Sequence, residues 1–131
     1  MSNTRGPSPG AARHPDHRVQ ISSAANACSA QNGATVLAQS DAALIVDESG
    51  YPPVVYFPLQ DVRLEHLVAT ESKTTCPFKG EAHYFALAEF PHEQDVAWTY
   101  PLVYDEVAEL AGYIAFYEDR VQVSRNTALQ S

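Results

Sequence analysis

The short stretch CPFKG, at positions 76–80, holds the residue types that are best suited to chemistry. A cysteine thiol whose pKa is lowered by a neighbouring cation can act as a nucleophile or a redox group, and Lys73 and Lys79 are the nearest cations. The alternative is that Cys76 is a small buried hydrophobic residue at the end of a strand. A catalytic cysteine needs a histidine partner, and the sequence separation from His83 does not predict a contact. The sequence therefore leaves both roles of Cys76 open.

Lys79 and Gly80 place a cation beside a glycine at the apex of a predicted turn. A phosphate-binding loop needs several glycines followed by a helix, whereas this stretch has a single glycine and a predicted strand follows it. Because the surrounding domain is strongly acidic, we expect Lys79 either to pair with a carboxylate such as Asp61 or to meet an anionic group of a ligand. In the second case the backbone of Gly80 would allow the ligand to approach closely.

Aromatic residues form the third candidate feature. Trp98 and Tyr100 share one face of a predicted strand, and tyrosines that keep a polar tip suit a concave ligand site. One hypothesis is an aromatic pocket whose walls are Tyr56, Trp98 and Tyr100. Lys79 and Cys76 would then lie at its rim. The alternative is that these rings belong to a packed core.

Other familiar site patterns are missing from the sequence. His66, His83 and His92 lack the spacing of metal ligands, so we predict no metal, and no other cofactor is indicated. Asp47 and Glu48 are neighbours on a predicted strand. Because neighbouring side chains on a strand point to opposite faces, these two carboxylates are not predicted to form an acid–base pair.

Short β-rich segments bounded by turn residues predict a mostly β (α+β) domain that would position these groups. Asn32-Gly33 is typical of a two-residue hairpin turn. We expect about seven or eight mainly antiparallel strands, drawn from residues 19–22, 26–31, 34–40, 42–48, 54–58, 82–90, 95–100, 113–118 and 121–123.

The hydrophobic period changes near the C-terminal end of the domain. Apolar residues recur at helical spacing over residues 103–114, and Gly112 suits a helix C-cap, which predicts one short helix. Residues 113–123 are then expected to form a last hairpin. Residues 59–69 fit either a helical turn or a strand.

Composition divides the chain into three parts. Residues 1–18 contain few apolar side chains and are predicted to be a disordered N-terminal tail, residues 19–123 to form one domain, and residues 124–131 to be a flexible C-terminal tail. The central part holds 15 acidic residues against four basic ones, which leaves a formal charge of −11 with histidine neutral. Such a surface repels phosphate backbones and anionic lipid, so we expect neither nucleic acid nor a membrane as partner.

Targeting signals and cysteine usage indicate the compartment. No apolar run approaches the ~18–20 residues of a membrane span, and the sequence starts without the apolar region of a signal peptide. Cys28 and Cys76 are the two cysteines. Without a secretion signal, we predict that both are free thiols in a reducing cytoplasm.

Several motifs in this order resemble the DUF427 family of small, mostly bacterial, uncharacterised proteins: YPPVVYFPLQDV, TTCPFKGEAHYF, AWTYP and GYIAFYEDRV. The resemblance covers about residues 19–123 and implies a β-tent fold, in which two antiparallel sheets meet at an angle. That fold is related to zinc-ribbon-like domains and to the methionine sulfoxide reductase B and cereblon ligand-binding domains. The paired zinc ligands of those relatives are absent from this sequence. Gln60 stands where the family has a basic residue, and Lys73 stands where it has a histidine.

Three functional hypotheses follow. The first is a domain that binds a small anionic or aromatic ligand through Tyr56, Asp61, Cys76, Lys79, Gly80, Trp98 and Tyr100. The second is an enzyme that uses Cys76 as a redox, acyl-transfer or nucleotidyl-transfer thiol. The third is a non-catalytic interaction or assembly module, and the protein is expected to be a monomer or a homodimer. Under the first hypothesis, Lys79→Ala should leave the melting temperature nearly unchanged.

Overall fold

The computed structural model of the chain describes Thr4 and residues 6–125. Within this part the fold is mostly β, with one seven-stranded and one three-stranded antiparallel sheet, which confirms the predicted fold class. The strands are β1 Val19–Ser23, β2 Cys28–Asn32, β3 Thr35–Ser40, β4 Leu44–Glu48, β5 Val54–Phe57, β6 Leu67–Cys76, β7 Gly80–Leu87, β8 Ala97–Thr99, β9 Ile114–Phe116 and β10 Gln122–Ser124. The helical elements are α1 Pro9–Arg13 and the 3-10 helices Leu59–Asp61, Leu64–His66 and Asp105–Leu110.

The larger sheet has the strand order β1-β4-β5-β9-β8-β7-β6, and the smaller sheet has the order β10-β2-β3. The edge strand β6 was not predicted, because its side chains are largely polar and exposed and so lack an alternating apolar pattern. Residues 59–69 combine both of their predicted forms: two 3-10 turns come first, and the strand starts at Leu67. No helix among the described residues is long and apolar enough to cross a membrane.

Side chains alternate along the strands of the larger sheet, which gives it an apolar core on each face. On β5, Val55 and Phe57 point into the core shared with the smaller sheet, whereas Tyr56 points to the opposite face. The 100–111 segment covers that opposite face. The buried residues of this second core are Val46, Tyr56, Ala82, Tyr100, Val103, Val107, Leu110 and Ala115.

The helix predicted over residues 103–114 is shorter than expected. It is a 3-10 helix over Asp105–Leu110, interrupted at Val107 by non-helical backbone angles. Backbone groups at both ends bond outside the segment: the Tyr104 amide donates to the Lys79 carbonyl at 3.0 Å, and the Gly112 amide donates to the Tyr100 carbonyl at 3.0 Å. These bonds limit the length of the helix. Gly112 has a positive φ, +79°, which is typical of a glycine that follows the end of a helix.

The predicted last hairpin over residues 113–123 is wrong. β9 lies between β5 and β8 in the larger sheet, whereas β10 pairs with β2 in the smaller one. A tight turn, in which the Val121 amide donates to the Tyr117 carbonyl at 2.9 Å, redirects the chain from one sheet to the other.

The predicted hairpin of β2 and β3 is confirmed, with its turn displaced by one residue. Asn32 pairs with Thr35, so the two-residue loop is Gly33-Ala34 rather than Asn32-Gly33. Only Gly33 has a positive φ, +60°, which matches a type II′ turn with glycine at its first position.

Residues 6–18 fall within the predicted N-terminal tail, and in the structure they lie against the domain. Helix α1 begins after Ser8, whose hydroxyl accepts a hydrogen bond from the Ala11 amide at 3.0 Å. The Gly10 amide donates to the Pro77 carbonyl, two positions before Lys79 in the chain, at 2.9 Å. Residues 1–3 and 5, and residues 126–131 of the predicted C-terminal tail, lie outside the described residues.

We expect Gly80→Ala to lower the free energy of unfolding by about 2–4 kcal/mol, since the φ of Gly80 is +140° and an added Cβ would lie 2.6 Å from the Leu102 carbonyl oxygen. Gly50→Ala is the matched control, because Gly50 also has a positive φ, +84°, but open space around it. Urea unfolding would measure both. Equal losses in the two variants would show that the close approach to Leu102 does not constrain the fold.

Candidate functional site

The CPFKG stretch forms the corner between β6 and β7. Cys76 pairs with Gly80, and the Lys79 amide donates to the Cys76 carbonyl at 3.3 Å. Gly80 has a positive φ, and the chain there passes so close to the backbone of Leu102 and Val103 that it leaves no room for a Cβ. The corner is thus held against the 100–111 segment, and the Lys79 side chain is buried beneath it.

Lys79 is neutralised by an ion pair. Its Nζ contacts Oε1 of Glu48, at the end of β4, and the two side chains are only 8% and 13% exposed. The other carboxylate oxygen of Glu48, Oε2, lies 2.8 Å from Nε2 of His17. Because a largely buried ammonium group needs a carboxylate nearby, the pair holds the corner to β4.

The structure shows the expected pairing of Lys79 with a carboxylate, but the partner is Glu48 and not Asp61. Asp61 accepts a hydrogen bond from the Ser40 hydroxyl at 2.6 Å, at the end of β3, and does not line the cavity described below. Because the Lys79 pair is largely buried, we now expect Lys79→Ala to lower the melting temperature rather than leave it nearly unchanged.

A cavity of about 440 Å³ lies on the face of the larger sheet that carries Tyr56. Five of the seven predicted ligand-binding residues line it, namely Tyr56, Cys76, Lys79, Trp98 and Tyr100. Gly80 follows Lys79 at the corner without lining the cavity, and Asp61 lies elsewhere. The remaining lining residues are Val46, Glu48, Tyr51, Pro52, Val54, Tyr84 and Tyr117.

Interlocked rings form one wall of this cavity. The Trp98 indole Nε1 donates to the Tyr56 hydroxyl at 3.1 Å, and the two rings meet edge to face. The centroid of Trp98 lies 4.7 Å from that of Tyr117, which stacks in parallel with Tyr84 at 6.5 Å. The Arg120 guanidinium lies 4.8 Å from the centre of the Tyr117 ring, on the outer side of this group. These contacts fix the orientation of the wall before any ligand binds.

The polar groups of the cavity are mainly hydrogen-bond donors. Burial raises the pKa of both Tyr56 and Tyr100 well above the ordinary tyrosine value, so both hydroxyls stay protonated. The Tyr56 oxygen accepts from Trp98, which leaves its own proton to donate. The Tyr100 side chain is 7% exposed, and its hydroxyl has no hydrogen-bond partner in the described part of the chain. Glu48 is the only carboxylate that lines the cavity among the described residues, and both of its oxygens are engaged.

Among the described residues, Cys76 makes no hydrogen bond to a histidine. His83 instead lies 2.9 Å from an oxygen of Glu81. Cys28 and Cys76 are both free thiols. Metal chemistry is not indicated either, because no group of three histidine, cysteine or acidic side chains is placed to hold an ion where the structure describes the chain.

Sequence reasoning missed Glu48, Tyr84 and Tyr117. The signal for Glu48 is the parity of β4: Leu44 pairs with Tyr56, and Glu48 points to the same face as Leu44 because it lies four positions further along the strand. No comparable signal identified Tyr117, which follows β9 and reaches the cavity only because the chain turns there.

Comparison with known proteins adds a family but no function. The model of a domain of unknown function, DUF427, matches residues 19–127 of the 131-residue chain. The match includes all the residues that line the cavity and excludes His17. No curated protein matches the chain.

Lys79→Met keeps the bulk of the side chain but removes its charge, which would leave the Glu48 carboxylate largely buried with only His17 beside it. We expect a loss of about 3 kcal/mol in the free energy of unfolding, measured with urea, and a similar loss for Glu48→Gln. The double variant should recover part of the summed loss, because it buries no unpaired charge. If the double variant lost the full sum of the two single losses in unfolding free energy, Lys79 and Glu48 would not be coupled.

Stability should fall above about pH 10. The folded-state pKa values of Tyr56 and Tyr100 are raised above the unfolded value, so their contribution to stability is complete below that pH and is lost as the pH rises through the folded-state values. Unfolding measured between pH 8 and 11.5 should show a shallower fall for Tyr100→Phe, which cannot ionise. Tyr51→Phe, at a position 64% exposed, is the control and should follow the wild type. Identical curves for wild type and Tyr100→Phe would rule out this role of burial.

Proposed function

The chain belongs to the DUF427 family, whose function is unknown, and from the cavity we propose that the domain binds a small, flat organic molecule that carries a hydrogen-bond acceptor. The observation that supports this proposal most strongly is that a rigid aromatic wall and several hydrogen-bond donors line the same cavity. The volume of about 440 Å³ lies within the range of small-molecule pockets.

The body of the ligand is assigned to the aromatic wall. Trp98 and Tyr117 present ring faces and edges that are held by their own contacts, so little side-chain entropy is lost when a planar ring stacks on them. Tyr51 lies at the mouth of the cavity and is largely exposed, which leaves it able to cover a bound ring.

The polar group of the ligand is assigned to the donors. A carbonyl or carboxylate oxygen would accept hydrogen bonds from Tyr100, from Tyr56 or from the Lys79 ammonium group, which has three protons and bonds one carboxylate oxygen. Because Glu48 already neutralises Lys79, a neutral carbonyl suits the site better than a carboxylate, and a doubly charged phosphate suits it least. This order of preference restricts the class of ligand expected from the sequence, which was anionic or aromatic, to aromatic molecules with a neutral acceptor.

The proposed cellular compartment and oligomeric state rest on the cysteines and on the position of the cavity. A reducing cytoplasm suits two free cysteines, and one cavity within one domain can act in a monomer or a homodimer. Cys76 lines the cavity, so a thiol reaction would occur at the same site. Labelling with iodoacetamide between pH 5 and 9 would reveal a reactive thiol by its reaction well below the ordinary cysteine pKa of about 8.5.

Three probes that share one ring test the proposal: benzamide, benzoate and phenyl phosphate. Trp98 is the only tryptophan of the chain, so its fluorescence reports directly on the cavity. We expect saturable changes that decrease in affinity from benzamide to benzoate to phenyl phosphate. Tyr100→Phe should weaken benzamide binding about three- to tenfold, because one hydrogen bond is lost.

Tyr104→Phe is the matched control, since it removes the same hydroxyl from a tyrosine outside the cavity. It should leave the affinity for benzamide unchanged. The absence of saturable binding for all three probes, or an equal loss in the two variants, would contradict the proposed function.

A further inference from the structure

We propose that residues 6–18, which precede the matched family domain, support the candidate site without lining its cavity, and that His17 is a positioning residue that sets its ligand specificity. His17 holds one oxygen of Glu48 and thereby keeps the cavity a donor site. The consequence for ligands rests on the proposed function, whereas the positioning of Glu48 and Lys79 does not.

The N-terminal segment is fitted to the CPFKG corner at Gly10. The Gly10 amide donates to the Pro77 carbonyl at 2.9 Å, and a Cβ at this position would lie 2.6 Å from the Phe78 ring and 2.8 Å from the Pro77 oxygen. Only glycine therefore allows the segment to approach this closely. The Ser8 amide adds a hydrogen bond to Oε1 of Glu106 at 2.9 Å, at the start of the 3-10 helix behind the corner.

His17 bridges the corner and the ion pair. Its ring stacks on Phe78, with centroids 3.9 Å apart and planes 17° from parallel, while its Nε2 lies 2.8 Å from Oε2 of Glu48. Phe78 is the chain neighbour of Lys79. One imidazole thus contacts the residue beside the cation and the carboxylate that neutralises the cation.

The backbone next to His17 is fixed by the residue that follows Glu48. The Arg18 amide donates to the Ser49 hydroxyl at 2.9 Å, and the Ser49 amide donates to the Arg18 carbonyl at 2.9 Å. These two bonds align the chain at His17 with the end of β4. The contact between His17 and Glu48 is therefore supported on both sides rather than made by a loose side chain.

Occupation of both Glu48 oxygens decides which ligand groups the cavity accepts. With Lys79 on Oε1 and His17 on Oε2, each oxygen of Glu48 already accepts from a donor of the protein, which leaves fewer of its lone pairs for a donor on the ligand. Loss of His17 would free lone pairs of Oε2, on a carboxylate that lines the cavity, to accept from a ligand. A ligand with a cationic donor group would then bind better relative to one with a carbonyl group.

Benzamide and benzamidine test this inference because they share the same ring. Benzamide carries a carbonyl oxygen that accepts hydrogen bonds, whereas benzamidine carries a cationic amidinium group that only donates them. Both are titrated against Trp98 fluorescence in the wild type, His17→Ala, His17→Gln and the control His14→Ala. We expect the ratio of the benzamidine Kd to the benzamide Kd to fall at least about threefold in His17→Ala. The ratio should return towards the wild-type value in His17→Gln, whose amide can donate to Glu48, and should stay unchanged in His14→Ala. An unchanged ratio in His17→Ala would overturn the specificity role.

A second readout separates this inference from the proposed function. The ¹⁵N NMR signal of the Lys79 ammonium group, observed without any ligand, should shift or broaden in His17→Ala and be restored in His17→Gln. Gly10→Ala should change the signal in the same way by moving the segment off the corner, whereas Ala12→Ser, on the exposed side of α1, should not. If neither probe binds to the wild type, the proposed function fails. The Lys79 signal still shows whether His17 positions Glu48 and Lys79. A Lys79 signal that is the same in wild type, His17→Ala and Gly10→Ala would overturn the inference.

Discussion

The buried ion pair between Lys79 and Glu48 is the contact on which the rest of the site depends. In the order of the larger sheet, four inter-strand steps separate β4 from β7, which corresponds to roughly 19 Å across a flat sheet at about 4.8 Å per step. A lysine and a glutamate side chain together cannot span that distance. Lys79 lies at the corner before β7, so the sheet and this corner together must bend towards the Tyr56 face, where the cavity lies. Burying these two charges is unfavourable unless they meet, so the pair favours this bent arrangement over a flat one.

The same constraint explains the chemistry of the cavity. Glu48 is committed to Lys79 and His17, so the hydroxyls of Tyr56 and Tyr100 become the groups that a ligand would meet. Desolvation keeps both hydroxyls protonated, and they remain donors. The architecture and the polarity of the cavity thus have one origin, which is the neutralisation of a buried lysine by a carboxylate from a distant strand.

The sequence predicted what depends on local pattern and missed what depends on register. Alternation and turn residues predict the mostly β fold, and motif chemistry places Lys79 and Trp98 in one hypothetical pocket, which matches the cavity that both residues line. The sequence predicts a carboxylate partner for Lys79 but does not select Glu48 over Asp61, because that choice requires knowing which strands are neighbours. His17 could not have been assigned, because a segment poor in apolar residues docks through one glycine contact, one ring stack and a few hydrogen bonds rather than through a hydrophobic stripe.

Chemical-shift mapping with benzamide shows whether the donor-lined cavity is a ligand site. Benzamide is added to ¹⁵N-labelled protein, and amide and indole signals are followed by two-dimensional NMR. We expect concerted, saturable shifts of the Trp98 indole N–H and of the Lys79 and Gly80 amides, with the strands of the smaller sheet unaffected. Shifts confined to residues outside the cavity, or no saturable shift at any concentration that the probe allows, would contradict the proposed ligand site.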